Sequence, residues 1–259
     1  MTTTTTRAQS RHWSRHASNY DELFLDPFEP GVENPIVPAI GAVPDPGSKL
    51  AIDLGCGTGP LLPMLLGRFR EVVAIDFAPA MVDAARQRLG PDADRVQFHV
   101  RPMDQLDDFT DRVDVAVAIN SIVMPDVRDV DRTLSAIRRA LRPGGVFFGV
   151  VPAIDAIQYQ TMLLLDRALE QGNAPAEADR LAQQQAEHHL YDFGFGRFAF
   201  RGLRQKFWQS FELDYRLRKA GFGSVRLDQV LYPWDANLPL GEHFRGQPRS
   251  WDWAFEARP

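Results

Sequence analysis

Between Ala51 and Pro60 the chain reads AIDLGCGTGP, after a short apolar run and before a helix-like one. Glycines at 55, 57 and 59 allow a sharp turn off a buried strand and remove Cβ atoms where a ligand must touch main chain. They also leave amide N–H groups available to a bound molecule. Pro60 stands where a helix starts, a place where its missing N–H costs nothing. Such a loop predicts a nucleotide-like cofactor on the first strand of an α/β fold.

Spacing separates the cofactors. In the dinucleotide fingerprint G-x-G-x-x-G the third glycine lets helix pack closely on strand. Aligning Gly55 and Gly57 to that pattern puts Pro60 at the third glycine, so the fit fails. The run Asp53-Leu54-Gly55-Cys56-Gly57-Thr58-Gly59 resembles instead motif I of the class I S-adenosylmethionine-dependent methyltransferases, in which an acid precedes the glycines by two positions. A second buried strand, Val72 to Ile75, ends in Asp76, and an acid at this tip can accept both hydroxyls of a ribose. The run Asp76-Phe77-Ala78-Pro79-Ala80-Met81 is similar to the segment that follows the acid in many members.

Further pieces keep the family order. Val113 to Ile119 is strand-like and delivers Asn120 and Ser121 to the end where open α/β sheets place ligands. A helix is predicted from about Asp129 to Leu141, then a turn Arg142 to Gly145 and a buried strand Val146 to Val151. LRPGG before a β-rich run is a family hallmark. Leu213 to Ala220, Val225 to Tyr232 and Trp251 to Ala257 resemble the last helix and the two closing strands. The resemblance implies a Rossmann-like seven-stranded sheet of order 3-2-1-4-5-7-6, its last strand antiparallel, with a helical and aromatic cap insertion. It implies S-adenosylmethionine as cofactor and S-adenosylhomocysteine as product. Asp53, Gly55, Cys56, Gly57, Gly59, Asp76, Phe77, Met81, Met103, Asp104, Asn120 and Tyr20 are the binding residues it points to.

One position departs from the family. After the strand Val96 to Val100, many members carry Gly-Asp-Ala/Met, whose aspartate meets the adenine amino group; here Arg101-Pro102-Met103 follow and Asp104 is displaced by two. Either Asp104 makes that contact, or main chain near Met103 and apolar packing hold the adenine.

The chain divides into three parts. Residues 1–45 form a tail and a lid helix, in which Trp13, Ala17, Tyr20 and Asp21 resemble an entry segment, W-x-x-x-A-x-x-Y-D, that covers the cofactor. The Pro-rich stretch Pro27 to Pro46 is expected as a connecting loop. Residues 46–151 and 209–259 form the cofactor-binding domain. Residues 152–208 exceed an ordinary connection and carry two expected helices, Ile154–Gln171 and Ala176–Leu190, then the alternating aromatic run Tyr191 to Phe200. Leaving the carboxyl edge of the sheet, this insertion is expected as a substrate cap.

The sulfonium methyl group is already activated, so transfer needs in-line positioning more than covalent help. An alcohol, phenol or ammonium acceptor also needs a base, for which His188, His189 and Tyr191 are the candidates. The expected reaction is methyl transfer to a small, partly apolar or aromatic metabolite; an NAD-dependent oxidoreductase and a silent cofactor-binding partner protein are the alternatives. His188 and His189 are neighbours without metal-ligand spacing, and His12 and His16, at i and i+4, lie near the terminus, so no metal is expected. A net charge of −5 without a Lys/Arg-rich run argues against nucleic-acid or anionic-membrane partners, although Arg197 to Arg204 is locally basic. The lone cysteine excludes an intrachain disulfide, and a thiol in a cofactor loop points to a reducing, cytoplasmic setting. The Thr/Ser-rich, arginine-bearing start has no apolar centre of a secretory signal, and no apolar stretch reaches membrane-span length.

Overall fold

A computed structural model describes residues 9–11, 13–14, 25–200, 203–234 and 241–259, with the backbone alone at Phe200. Tyr20, Ala17, Asp21, His12 and His16 lie outside the described residues. The Pro-rich stretch is more than a loop. It contains helix α1 (Ile36–Gly41), whose Ile36 and Ile40 are buried, and Glu33 exchanges backbone hydrogen bonds with Leu231. Apolar residues four apart share one helical face, which here meets the core.

Strand β1 (Leu50–Leu54) is followed by the glycine loop and helix α2 (Leu62–Leu66); β2 (Glu71–Asp76) leads to α3 (Pro79–Leu89), with Pro79 in its first turn. Next come β3 (Val96–Val100), β4 (Val113–Ile119) and α4 (Val127–Ala140), where the Asp126 carboxylate caps the helix by accepting the Arg128 N–H at 2.9 Å. The expected turn Arg142 to Gly145 belongs instead to β5 (Leu141–Pro152). Leu141 pairs with Val113, and a register shift before Val115 absorbs the Pro-Gly-Gly segment.

Helix α5 (Ile154–Glu170) opens the insertion and packs against α6 (Pro175–Gln185). The second helix is shorter than expected. Glu187 takes φ 51°, which an α-helix cannot accommodate, so His188–Leu190 form a separate 3-10 turn. The aromatic run becomes part of a small antiparallel sheet, β6 (Tyr191–Asp192), β7 (Arg197–Phe200) and β8 (Leu203–Lys206). Both ends of the insertion meet at one point. Trp208 N–H donates to Pro152 O at 2.7 Å, Ile154 N–H donates to Trp208 O at 3.1 Å, and the fully buried Trp208 indole donates to Ile122 O at 2.9 Å. Buried Lys206 adds an ion pair with Glu212 at 2.6 Å.

Helix α7 (Ser210–Lys219), β9 (Ser224–Tyr232) and β10 (Ser250–Arg258) complete the chain. The large sheet runs β3-β2-β1-β4-β5-β10-β9, with β10 antiparallel to both neighbours. This is the expected order, β9 and β10 being its sixth and seventh strands. Side chains alternate between two cores: Val115 and Val117 enter the one holding Leu62, Leu65 and Leu164, while Ala116 and Ala118 face Leu134, Ile137 and Trp208. Burial on both faces leaves the carboxyl edge for ligands. Among the described residues no helix is long and apolar enough to cross a membrane.

Candidate functional site

The glycine loop turns because its positions demand it. Gly55 adopts φ 70°, and a Cβ there would lie 2.4 Å from Ser121 Cβ. Its N–H and that of Cys56 both donate to Ile75 O, at 2.7 and 3.0 Å, which ties the loop to β2. Gly59, at φ 78°, brings the loop against α3, where an added Cβ would lie 2.9 Å from Ala85 Cβ. At Gly57 a Cβ would meet nothing within 4 Å, because that residue faces open space. Asp76 spans the gap between strand and loop: Oδ2 accepts the Gly57 N–H at 3.0 Å and Oδ1 accepts the Ala78 N–H at 2.8 Å.

Two cavities flank this loop. The first, about 960 Å³, is lined by Gly55, Gly57, Asp76, Phe77, Met81, Met103, Asp104 and Asn120 among the expected residues. The second, about 580 Å³, is lined by Asp53, Gly55, Cys56, Gly57 and Asn120. Gly55, Gly57, Ile119 and Asn120 belong to both, so one bent ligand passing these four residues can fill the two. Gly59 lines neither and serves the helix packing described above. Asp104 reaches the first cavity while facing Arg132 Nε at 3.6 Å. Sequence reasoning left Gln9, Ser121, Met124 and Thr133 out of the first cavity and Asp26, Phe28 and Thr58 out of the second. Ser121 had a signal, being delivered by the same strand as Asn120, and Trp13, in the expected lid segment, does line the first cavity.

A family model described as a methyltransferase domain matches residues 51–145, from β1 through the glycine loop and Asp76 to the start of β5. Over these residues the chain is similar to the class I S-adenosylmethionine-dependent methyltransferases, whose sheet order it shares. The chain is 34% identical over 97 residues to the magnesium-protoporphyrin O-methyltransferase of Rhodobacter capsulatus, covering 37% of this chain and 42% of that one. It is 33% identical over 119 residues to the malonyl-[acyl-carrier protein] O-methyltransferase of Serratia marcescens, covering 44% and 42%. The chain thus spans less than half the length of these curated relatives. Among solved structures, the 1,6-didemethyltoxoflavin-N1-methyltransferase of Burkholderia thailandensis is similar in fold, with TM-score 0.62 at 18% identity, over 97% of this chain and 87% of that one.

Electrostatics of the site centre on two buried carboxylates. Burial, and then the neighbouring charge of Asp76, pushes the Asp53 carboxyl up to about 7. Burial raises Asp76 to about 6, opposed by the N–H groups of Ala78 and Gly57. Burial, Asp53 and Asp76 raise the Cys56 thiol well above its ordinary value, which keeps it protonated and unreactive. Because the folded Asp53 holds its proton to higher pH than the unfolded chain, its contribution to stability is present at low pH and is lost as pH rises from about 4 to about 7. Asp53→Asn is therefore expected to raise the Tm of the unliganded protein at pH 7.5 by about 5 °C more than at pH 5. Thermal unfolding at the two pH values checks this; an equal change at both would remove the ionised, desolvated carboxylate.

Three expected catalytic residues lie in the insertion and line neither cavity. His188 Nε2 lies 2.7 Å from Thr161 Oγ1, and its ring packs on Phe193 at 4.5 Å; burial lowers its pKa. His189 is exposed. Tyr191 packs among Phe193, Phe198 and Phe207, and burial followed by Glu187 raises its hydroxyl to about 12. Trp234 and Trp251 pack on Tyr159, away from both cavities. Among the described residues no group of three His, Cys, Asp or Glu side chains is placed to hold a metal ion.

Proposed function

We propose that this chain binds S-adenosylmethionine across the two cavities and transfers its methyl group to a small, partly apolar or aromatic metabolite. The observation that carries this is the meeting of the cavities at Gly55, Gly57 and Asn120, with Asp76 in one and Asp53 in the other. Adenosine suits the first: Trp13, Met81 and Met103 offer apolar walls and Asp76 an acceptor for ribose hydroxyls. The methionine end suits the second, where Asp26 and Asp53 favour positive charge. The loop's main chain and Phe77 complete the cradle. Asp104, rather than the usual aspartate two positions earlier, lies at the cavity for the adenine edge.

Bound there, the donor supplies an electrophilic methyl group that an acceptor atom displaces in line. The protein's part is to hold the donor, exclude water and present the acceptor at attack distance. Residues 152–208 are placed for the last task. Lys206 N–H donates to Val123 O at 2.9 Å, and Gln9 Nε2 contacts Arg204 O at 3.5 Å, so the insertion is tied to two residues that line the first cavity. His188 and Tyr191 then maintain the cap, and a nitrogen acceptor with a lone pair would need no base from them. The relative named as a magnesium-protoporphyrin O-methyltransferase supports a small, partly apolar acceptor.

Calorimetry with S-adenosylhomocysteine and with NADH tests the cofactor. Micromolar binding of the former and none of the latter is expected; the reverse would establish the oxidoreductase alternative. Tritium transfer from labelled methyl donor into a metabolite library tests the activity. Tight cofactor binding with no labelled product across the library would leave a cofactor-binding partner protein.

A further inference from the structure

Strand β9 ends the seven-stranded sheet and pairs within it on one side alone, with β10. In an antiparallel sheet the main-chain groups of successive residues point alternately to the two sides, so every second residue of an edge strand turns its N–H and C=O outward. Leu231 sets the parity. Its N–H and carbonyl exchange hydrogen bonds with Glu33, at 2.9 and 3.0 Å, on the side away from β10. Gln229, Leu227 and Val225 therefore face outward too, and among the described residues no main-chain group meets them there. The Gln229 N–H is held instead by the Asp228 carboxylate at 2.8 Å. Arg226 and Asp228 are exposed on one face of the strand, while Val225 and Leu227 pack on the core at the other.

A second β9 laid antiparallel along this edge has one register that engages all three outward residues. Glu33 closes the edge beyond Gln229, so the two-fold axis passes at Leu227 and Val225 of each copy lies opposite Gln229 of the other. Arg226 then faces Asp228 of the second copy, at both ends of the contact, in pairs without mutual main-chain bonds, whose side chains stand closest. Charges on an edge ordinarily prevent pairing. Opposite signs two residues apart do the reverse under this symmetry, because the strand becomes its own charge complement. No hydrogen bond is forfeited: the Gln229 N–H passes to the Val225 carbonyl opposite, and Asp228 receives a guanidinium instead. Arg226 is free to reach it, since its side chain is 68% exposed and meets Glu256 only loosely, at 3.4 Å. At the other end of the sheet β3 reads VQFHV and offers no such pair.

We propose that β9 is a self-pairing surface through which two copies of this chain form a two-fold dimer, joining their sheets into one, with Arg226 of each copy paired to Asp228 of the other. Antiparallel joining reverses strand direction across the axis, so the carboxyl edges that carry the cavities lie at opposite rims and both stay open. The inference does not depend on which cofactor fills them.

Size-exclusion chromatography with light scattering, and sedimentation of the full chain over a dilution series, test it. A dimer that dissociates on dilution is expected. Arg226→Asp and Asp228→Arg each set like charges against one another at both ends of the contact, and each is expected to raise the dimer dissociation constant about tenfold. Mixed in equal amounts, the two variants should associate again, because the carboxylates of one then oppose the guanidiniums of the other. The double variant should dimerise like the parent. Both positions are exposed, and recovery on mixing is a result that a general loss of folding cannot give. A parent chain that stays monomeric at the highest concentration reached would overturn the proposal. A dimer indifferent to either reversal would place the contact elsewhere and overturn it too, and weakened variants that fail to recover on mixing would reject the register.

Discussion

Gly55→Ala is expected to abolish measurable S-adenosylhomocysteine binding and to lower stability by about 3 kcal/mol. Two costs add. The residue sits at φ 70°, which an L side chain reaches only at roughly 1–2 kcal/mol. Its new Cβ would also fall 2.4 Å from Ser121 Cβ, and overpacking of this kind costs about 1–3 kcal/mol. Ser121 cannot simply withdraw, because its hydroxyl donates to Leu54 O at 2.7 Å. Relief must come from the loop, whose N–H groups at 55 and 56 hold Ile75 O, so the main chain shared by both cavities shifts. Adding Ser121→Gly removes the collision but not the backbone cost, and should return about half the lost stability. Gly57→Ala is the internal comparison: at φ 53° with open space ahead, it bears the backbone cost alone. Thermal unfolding and calorimetry of the four proteins check this, and a Gly55→Ala protein that binds like the parent would refute the packing account.

How much of this was legible in the sequence follows from the range of the interactions. The glycine loop, the strand-end Asp76 and the order of the strands are local: each is written in a few consecutive residues whose backbone requirements admit few alternatives. Two ends of elements are obscured in the sequence for local reasons as well. Glu187 in the left-handed region is not a residue that advertises a break, and Arg142 to Gly145 read as a turn although a register shift lets the same residues open β5. The buried face of α1 hides in a Pro-rich stretch because Pro35 and Pro38 disguise a short helix that packing sustains. The candidate catalytic residues depended on tertiary placement. His188, His189 and Tyr191 are near in sequence to an aromatic cluster that could have walled a pocket, yet the His188 and Tyr191 rings pack on Phe193 and Phe198 while His189 is exposed.

Asp76→Ala is expected to weaken S-adenosylhomocysteine binding by about 2 kcal/mol, roughly thirtyfold, the scale of a charged acceptor's hydrogen bonds. The carboxylate holds two loads at once. It accepts the Gly57 and Ala78 N–H groups that join the loop to the start of α3, and it lines the cavity assigned to adenosine. Removing it unpairs both main-chain donors and deletes the ribose acceptor. Asp76→Asn separates these effects, since its single oxygen can keep one N–H while its amide faces the other. Its binding should fall between Ala and the parent. The charge itself is costly to the unliganded fold, because burial raises Asp76 to about 6 and its charge also pushes up Asp53. At pH 7.5 the Asn variant therefore sheds an ionised buried group, so its Tm should fall less than its affinity does. Such a split, weaker binding with nearly retained stability, is what a carboxylate kept for its ligand produces. A residue kept for the fold would lose stability first, and unchanged binding in both variants would remove Asp76 from the ribose role.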